Sequence, residues 1–174
     1  MKNHFELLGL APAFALEPAQ LDRAYREIQS KIHPDRFAHA GEAERRASMQ
    51  WTTQVNEAYR TLKSPVQRAK YLLELNGVDV GFETDTAMPA DFLVEQMELR
   101  ENLEQARDVE TLGLIRKSLM ADKKTIEMQI AERIDSTHDH AGAKELVRKL
   151  MFLEKFDEDI DAAYEVIETR SPEG

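Results

Sequence analysis

Apolar side chains recur three and four positions apart at Leu21, Ala24, Tyr25, Ile28 and Ile32, which marks one face of an amphipathic helix. That helix opens at Glu17-Pro18 and ends by His33, because Pro34 pushes its predecessor out of helical geometry. A second stripe, Ala43, Ala47, Val55, Ala58, Tyr59 and Leu62, predicts a helix over about 42–62 with those residues facing inward. Ser64-Pro65 then starts a shorter helix carrying Tyr71, Leu72 and Leu73. Two long amphipathic helices joined by a short loop predict an antiparallel pair.

Between Asn76 and Pro89 this periodicity breaks at Gly77, Gly81, Thr84, Asp85, Thr86 and Pro89, the signals of a connection. The chain is accordingly read as two units, 1–75 and 90–174, joined by a linker over 76–89. The second unit carries three more helical stretches, about 90–106, 110–134 and 142–168. One shows Leu112, Ile115, Leu119, Ile126, Ile130 and Ile134; the last shows Leu146, Leu150, Leu153, Ile160, Tyr164 and Ile167. Long stripes with short connections predict a three-helix bundle, and the fold class is all-α. There is no internal repeat and no convincing strand.

The stretch from Ala90 has two apolar sides. At about 100° per residue, Phe92, Leu99, Leu103 and Ala106 cluster toward the bundle. Leu93, Val94 and Met97 project from nearly the opposite side, bordered by Glu98, Glu101 and Glu104. An apolar centre with a charged edge is the pattern of a partner site; packing against the first unit or the linker is the other reading.

Charge divides along the same boundary. The 174 residues carry a formal net charge of -10, but residues 1–75 sum to +2 and residues 76–174 to -12. The total argues against a chain built to neutralise nucleic-acid phosphates, and the asymmetry suggests two units with different partners. Cysteine is absent, which excludes disulfides, thiolate catalysis and cluster ligation by this chain's own sulfur. Neither a leader pattern nor an 18-residue uncharged stretch is present, so the cytoplasm is expected and no membrane contact.

His33-Pro34-Asp35 sits in the loop between the first two long helices, where proline would hold His33 and Asp35 at fixed surface positions. The run Tyr25-Arg26-Glu27-Ile28-Gln29-Ser30-Lys31-Ile32-His33-Pro34-Asp35-Arg36-Phe37 resembles the second helix and loop of a J-domain, the module that activates Hsp70 chaperones. Phe5-Glu6-Leu7-Leu8-Gly9-Leu10 resembles its opening turn, and Asn56-Glu57-Ala58-Tyr59-Arg60-Thr61-Leu62 the end of its third helix. Ile32, Arg36 and Glu27 depart from the usual aromatic, lysine and basic residues. The resemblance implies that His33, Pro34 and Asp35 contact the chaperone's ATPase domain, with Arg26, Lys31 and Arg36 supplying positive charge. Arg23 joins them by helical geometry, and such a face would steer an acidic surface to the loop.

The segments Arg68-Ala69-Lys70-Tyr71-Leu72-Leu73, Phe92 to Glu101, and Arg148-Lys149-Leu150-Met151-Phe152-Leu153 extend the likeness over essentially the whole chain, which resembles the HscB family of co-chaperones in iron-sulfur cluster biogenesis. That resemblance implies a co-chaperone that binds the scaffold protein IscU and delivers it to the Hsp70-type chaperone HscA, stimulating its ATPase. Leu93, Val94, Met97, Glu98, Glu101 and Phe152 are the positions it implies for the scaffold; Glu104 extends the acidic row. A general J-type chaperone holding unfolded clients is the alternative. No catalytic residue, metal or cofactor is expected. His138, Asp139, His140 and Asp135 fall in a loop without the geometry of a closed metal site, and Met49, Trp51 and Met151 are read as packing residues.

Overall fold

Prolines and side-chain caps set where the helices begin. The computed structural model describes residues 1–81 and 88–170, and all regular structure in them is helical. The elements are α1 (His4–Leu7), α2 (Pro18–Ile32), α3 (Glu42–Lys63), α4 (Pro65–Leu75), α5 (Ala90–Gln105), α6 (Val109–Ala131) and α7 (His140–Arg170). Asn3 and Glu6 cap α1 reciprocally, Pro18 and Pro65 occupy the first positions of α2 and α4, and Asp108 accepts from the Thr111 amide at 2.7 Å to start α6. These partners satisfy amides that a helix N-terminus leaves free. At the end of α4, Gly77 takes φ +73, and Val78 donates to Leu73 O at 2.9 Å, closing the helix in a left-handed cap.

Helices α2 and α3 run antiparallel, and a polar zip sets their register. Tyr59 donates to Asp22 at 2.6 Å, Tyr25 donates to Asn56 at 2.7 Å, and the two tyrosine rings stack at 4.1 Å. At the loop end Ser48 donates to the Ile32 carbonyl at 2.5 Å. Ser48 is therefore level with the last residue of α2, and the first turns of α3 overhang it. This is why Ala43 and Ala47, predicted to face inward, are exposed. Met49 and Trp51, read as packing residues, are exposed as well; only Met151 is partly covered.

Helices α5 to α7 pack as a bundle, with Leu119, Leu153, Phe156 and Ile160 at its centre and Leu99 and Leu103 lying over them. The chain ends α6 in a π-helical turn, Glu132–Ser136, where sequence periodicity continued the α-helix to 134. The two halves of the molecule share a core. Phe5, Leu8, Phe14, Leu21, Val55, Leu62 and Leu73 form one cluster with Ile130, Ile134, Ala143, Val147 and Leu150. Each fully buried aliphatic side chain there contributes about 1.5–3 kcal/mol relative to exposure.

Buried polar contacts sharpen this junction. The Arg68 guanidinium donates to Phe14 O at 2.7 Å and Leu62 O at 2.6 Å and lies 5.1 Å from the Phe14 ring. Burial lowers its pKa, and Glu127 and Asp135 act in the opposite direction. Asp135, in the π-helical turn, accepts from the amides of Phe14 and Ala15 at 2.8 and 2.9 Å. Arg148 of α7 donates to Val80 O at 2.9 Å, fixing the start of the predicted linker. Thr84, Asp85 and Thr86 of that linker, and residues 171–174 of the second predicted unit, lie outside the described residues.

Candidate docking sites

His33 ends α2 because proline follows it, and the chain then makes a single 3-10 turn, Pro34–Phe37. The His33 Nδ1 accepts from the Asp35 amide at 3.3 Å and lies 3.6 Å from the Asp35 carboxylate. Asp35 itself points outward, with its side chain 92% exposed. Arg36 folds back and donates to Ser30 O at 2.8 Å, satisfying a carbonyl in the last turn of α2, where a cation also complements the helix dipole. The loop thus presents an exposed imidazole and carboxylate on a short stiff turn.

Arg23, Arg26 and Lys31 lie on the outer side of α2, away from Leu21 and Ile28. All three are exposed, without an ion-pair partner among the described residues. Unpaired cations keep their full field toward solvent, so this flank can attract an acidic surface. Lys31 and Arg36 stand beside the loop, while Arg26 and Arg23 lie successively further back along α2.

On α5 the two-sided pattern is realised in space. Phe92 is buried, and Leu99 and Leu103 are partly covered by the bundle, while Leu93, Val94 and Met97 are 43, 54 and 71% exposed. Glu98, Glu101 and Glu104 are exposed beside them. Phe152 of α7 is half-buried and meets Phe92 edge-on at 5.8 Å between ring centroids, which places it next to the start of α5. The apolar trio belongs to neither buried cluster, so among the described residues the alternative of packing against the first unit is not realised. His138 and His140 stack at 6.4 Å, and among the described residues no group of three side chains could hold a metal ion.

Periodicity overlooked four polar residues that the fold buries or ties down. Arg68 and Arg148 are both 8% exposed, and Asp135 clamps a backbone 121 positions away; only three-dimensional contact gives these a role. Gln96 is different. It is 8% exposed and falls within the Phe92–Leu99–Leu103 arc of α5, where a polar residue on an apolar face is a readable signal.

Comparison with known proteins accords with this geometry. Residues 3–71 match the DnaJ domain family, and residues 88–161 match a family described as the HSCB C-terminal oligomerisation domain. The co-chaperone protein HscB homolog of Aromatoleum aromaticum is 46% identical over 97% of this chain and 97% of its own length. That of Burkholderia vietnamiensis is 48% identical, covering 96% of this chain and 97% of its own. The crystal structure of human co-chaperone protein HscB superposes with a TM-score of 0.87 at 30% identity, over 93% of this chain and 82% of that one. Among the described residues no helix is long and apolar enough to cross a membrane.

Proposed function

The chain belongs to the HscB family of J-domain co-chaperones, and from that premise we propose that it binds the cluster scaffold protein IscU and carries it to the Hsp70-type chaperone HscA, whose ATPase it stimulates. The observation that carries the reading is the exposed Leu93, Val94 and Met97 patch, on a bundle that shares a buried core with the half carrying the exposed His33-Pro34-Asp35 turn. Apolar side chains left this open on a well-packed bundle are what an obligatory partner covers.

The work divides between the two surfaces. The cations of α2 draw the acidic face of the chaperone's ATPase domain to the loop, and Asp35, with His33 behind it, engages that domain. ATP hydrolysis occurs in the partner; this chain shifts the partner's conformational balance by binding one state better than the other. On α5 the apolar trio supplies affinity and Glu98, Glu101 and Glu104 orient a basic patch of the scaffold. Phe152 extends the apolar contact from α7. With no cysteine of its own, the chain acts on clusters through its partners, in the cytoplasm.

The shared core supports delivery over mere tethering: it packs the bundle that carries α5 directly against the half that carries the loop. Calorimetry with purified IscU tests the reading. Binding by the native chain and its loss on Leu93→Ala, Val94→Ala and Met97→Ala together is expected. A chain that binds no IscU, or binds it equally well without the patch, would refute the assignment.

A further inference from the structure

A groove of about 500 Å³ runs between α5 and α6, on the flank of α5 opposite the apolar trio. The buried Phe92 and Leu153 and the partly covered Leu99 and Ile126 form its apolar wall, beside the polar Asn102, Thr125 and Gln129. Three exposed carboxylates stand around it, Glu95 and Glu98 on α5 and Asp122 on α6. Lys149 also lines it, but its ammonium lies 5.5 Å from the Phe92 ring and 3.6 Å from the Glu145 carboxylate, so its charge is already engaged.

Gln96 turns this groove into a candidate site. It is only 8% exposed, it lines the groove, and no hydrogen bond among the described residues engages its side-chain amide. Most of the side chain is packed away while its amide atoms stay open to the groove, where a ligand can replace water as their partner. Its oxygen accepts and its nitrogen donates.

We infer that the groove is a socket for a lysine or arginine side chain of the protein docked on α5. The methylene stem of such a residue lies along the apolar wall while its charged head stays at the polar mouth. The head group then meets the carboxylates of Glu95, Glu98 and Asp122, and donates to the Gln96 oxygen in a charge-assisted hydrogen bond. An acidic ligand would face three like charges. Glu98 stands between the socket and the apolar trio, so one helix reads an apolar surface on one flank and a basic side chain on the other. The partner named here rests on the reading that α5 binds the scaffold.

Nuclear magnetic resonance on the isotope-labelled full chain tests the socket, with Nα-acetyl-arginine methylamide as the probe and Nα-acetyl-norleucine methylamide as its uncharged counterpart. The arginine probe is expected to shift the Gln96 side-chain amide signals and the norleucine probe to leave them in place. Asp122→Asn and Gln96→Leu should each weaken the arginine probe, and Asp122→Asn should weaken purified scaffold by up to about fivefold, the range of a partly exposed ion pair. Leu93→Ala should weaken the scaffold and leave the arginine probe unaffected. Equal shifts from both probes, no shift at Gln96, or an unchanged scaffold affinity in Asp122→Asn overturns the socket. If Leu93→Ala leaves scaffold affinity unchanged while the arginine probe still binds, the docking reading fails and the partner assigned to the socket falls with it.

Discussion

The backbone amide of Phe14 donates to the carboxylate of Asp135 at 2.8 Å, tying the segment between α1 and α2 to the turn that follows α6. The carbonyl of the same residue accepts from Arg68 at 2.7 Å. One residue of the first half is thus held by an arginine of its own half and an aspartate of the other. The clamp sits on the edge of the shared core, where Phe14 is 3% exposed.

Replacing Asp135 by alanine should leave the amides of Phe14 and Ala15 without their acceptor at a cost of about 1–3 kcal/mol. Urea unfolding of Asp135→Ala reads that cost, and hydrogen exchange at residues 14 and 15 reads its location. An unchanged midpoint with unchanged exchange would show that the clamp holds nothing.

Leu93, Val94 and Met97 make little contact with the rest of the chain, so converting all three to alanine should change stability by less than about 0.5 kcal/mol per site, as for ordinary surface positions. The same variant should lose scaffold binding. A large drop in thermal stability would instead place the patch in the fold's own packing.

His4 provides a pH-dependent element. Burial lowers its pKa below the ordinary histidine value, partly offset by Glu57, and its ring stacks on Tyr71 at 4.3 Å. The folded state therefore binds a proton less readily than the unfolded one, so the contribution of His4 is present above the ordinary histidine pKa and fades as pH falls through the lowered one. Urea midpoints measured from pH 7.5 down to 5 should fall less steeply in His4→Phe than in the native chain. An identical slope would remove His4 from the titration.

Asp35→Asn should abolish stimulation of the chaperone ATPase while circular dichroism stays that of the native chain, because Asp35 is almost fully exposed and supports only its own turn. Undiminished stimulation by this variant would detach the loop from chaperone activation.

Helical periodicity foretold the antiparallel pair, the bundle and the outward turn of Leu93, Val94 and Met97, because each depends on spacing within one helix. What spacing could not convey is how elements end against one another. Ala43 and Ala47 fit an inward stripe, yet α2 stops at the level of Ser48 and leaves them nothing to pack on. Ile130, Ile134 and Val147, where α6 ends and α7 begins, join the core of the first half, a junction that the charge change and the Asn76–Pro89 breaks mark as a boundary but do not reveal. Arg68 and Arg148 look like surface cations in sequence and are buried donors to distant carbonyls in the fold. The exposed turn at His33-Pro34-Asp35 was legible through its proline, and the groove beside Gln96 only through the packing of three helices.

The central claim is that one molecule serves a scaffold on α5 and a chaperone on the His33-Pro34-Asp35 loop, and ATPase turnover of purified HscA with and without IscU tests it most directly. The native chain should stimulate hydrolysis alone and more strongly with IscU present. The chain bearing Leu93→Ala, Val94→Ala and Met97→Ala should retain the first effect and lose the added one. Full added stimulation by that variant, or none by the native chain, would contradict the account.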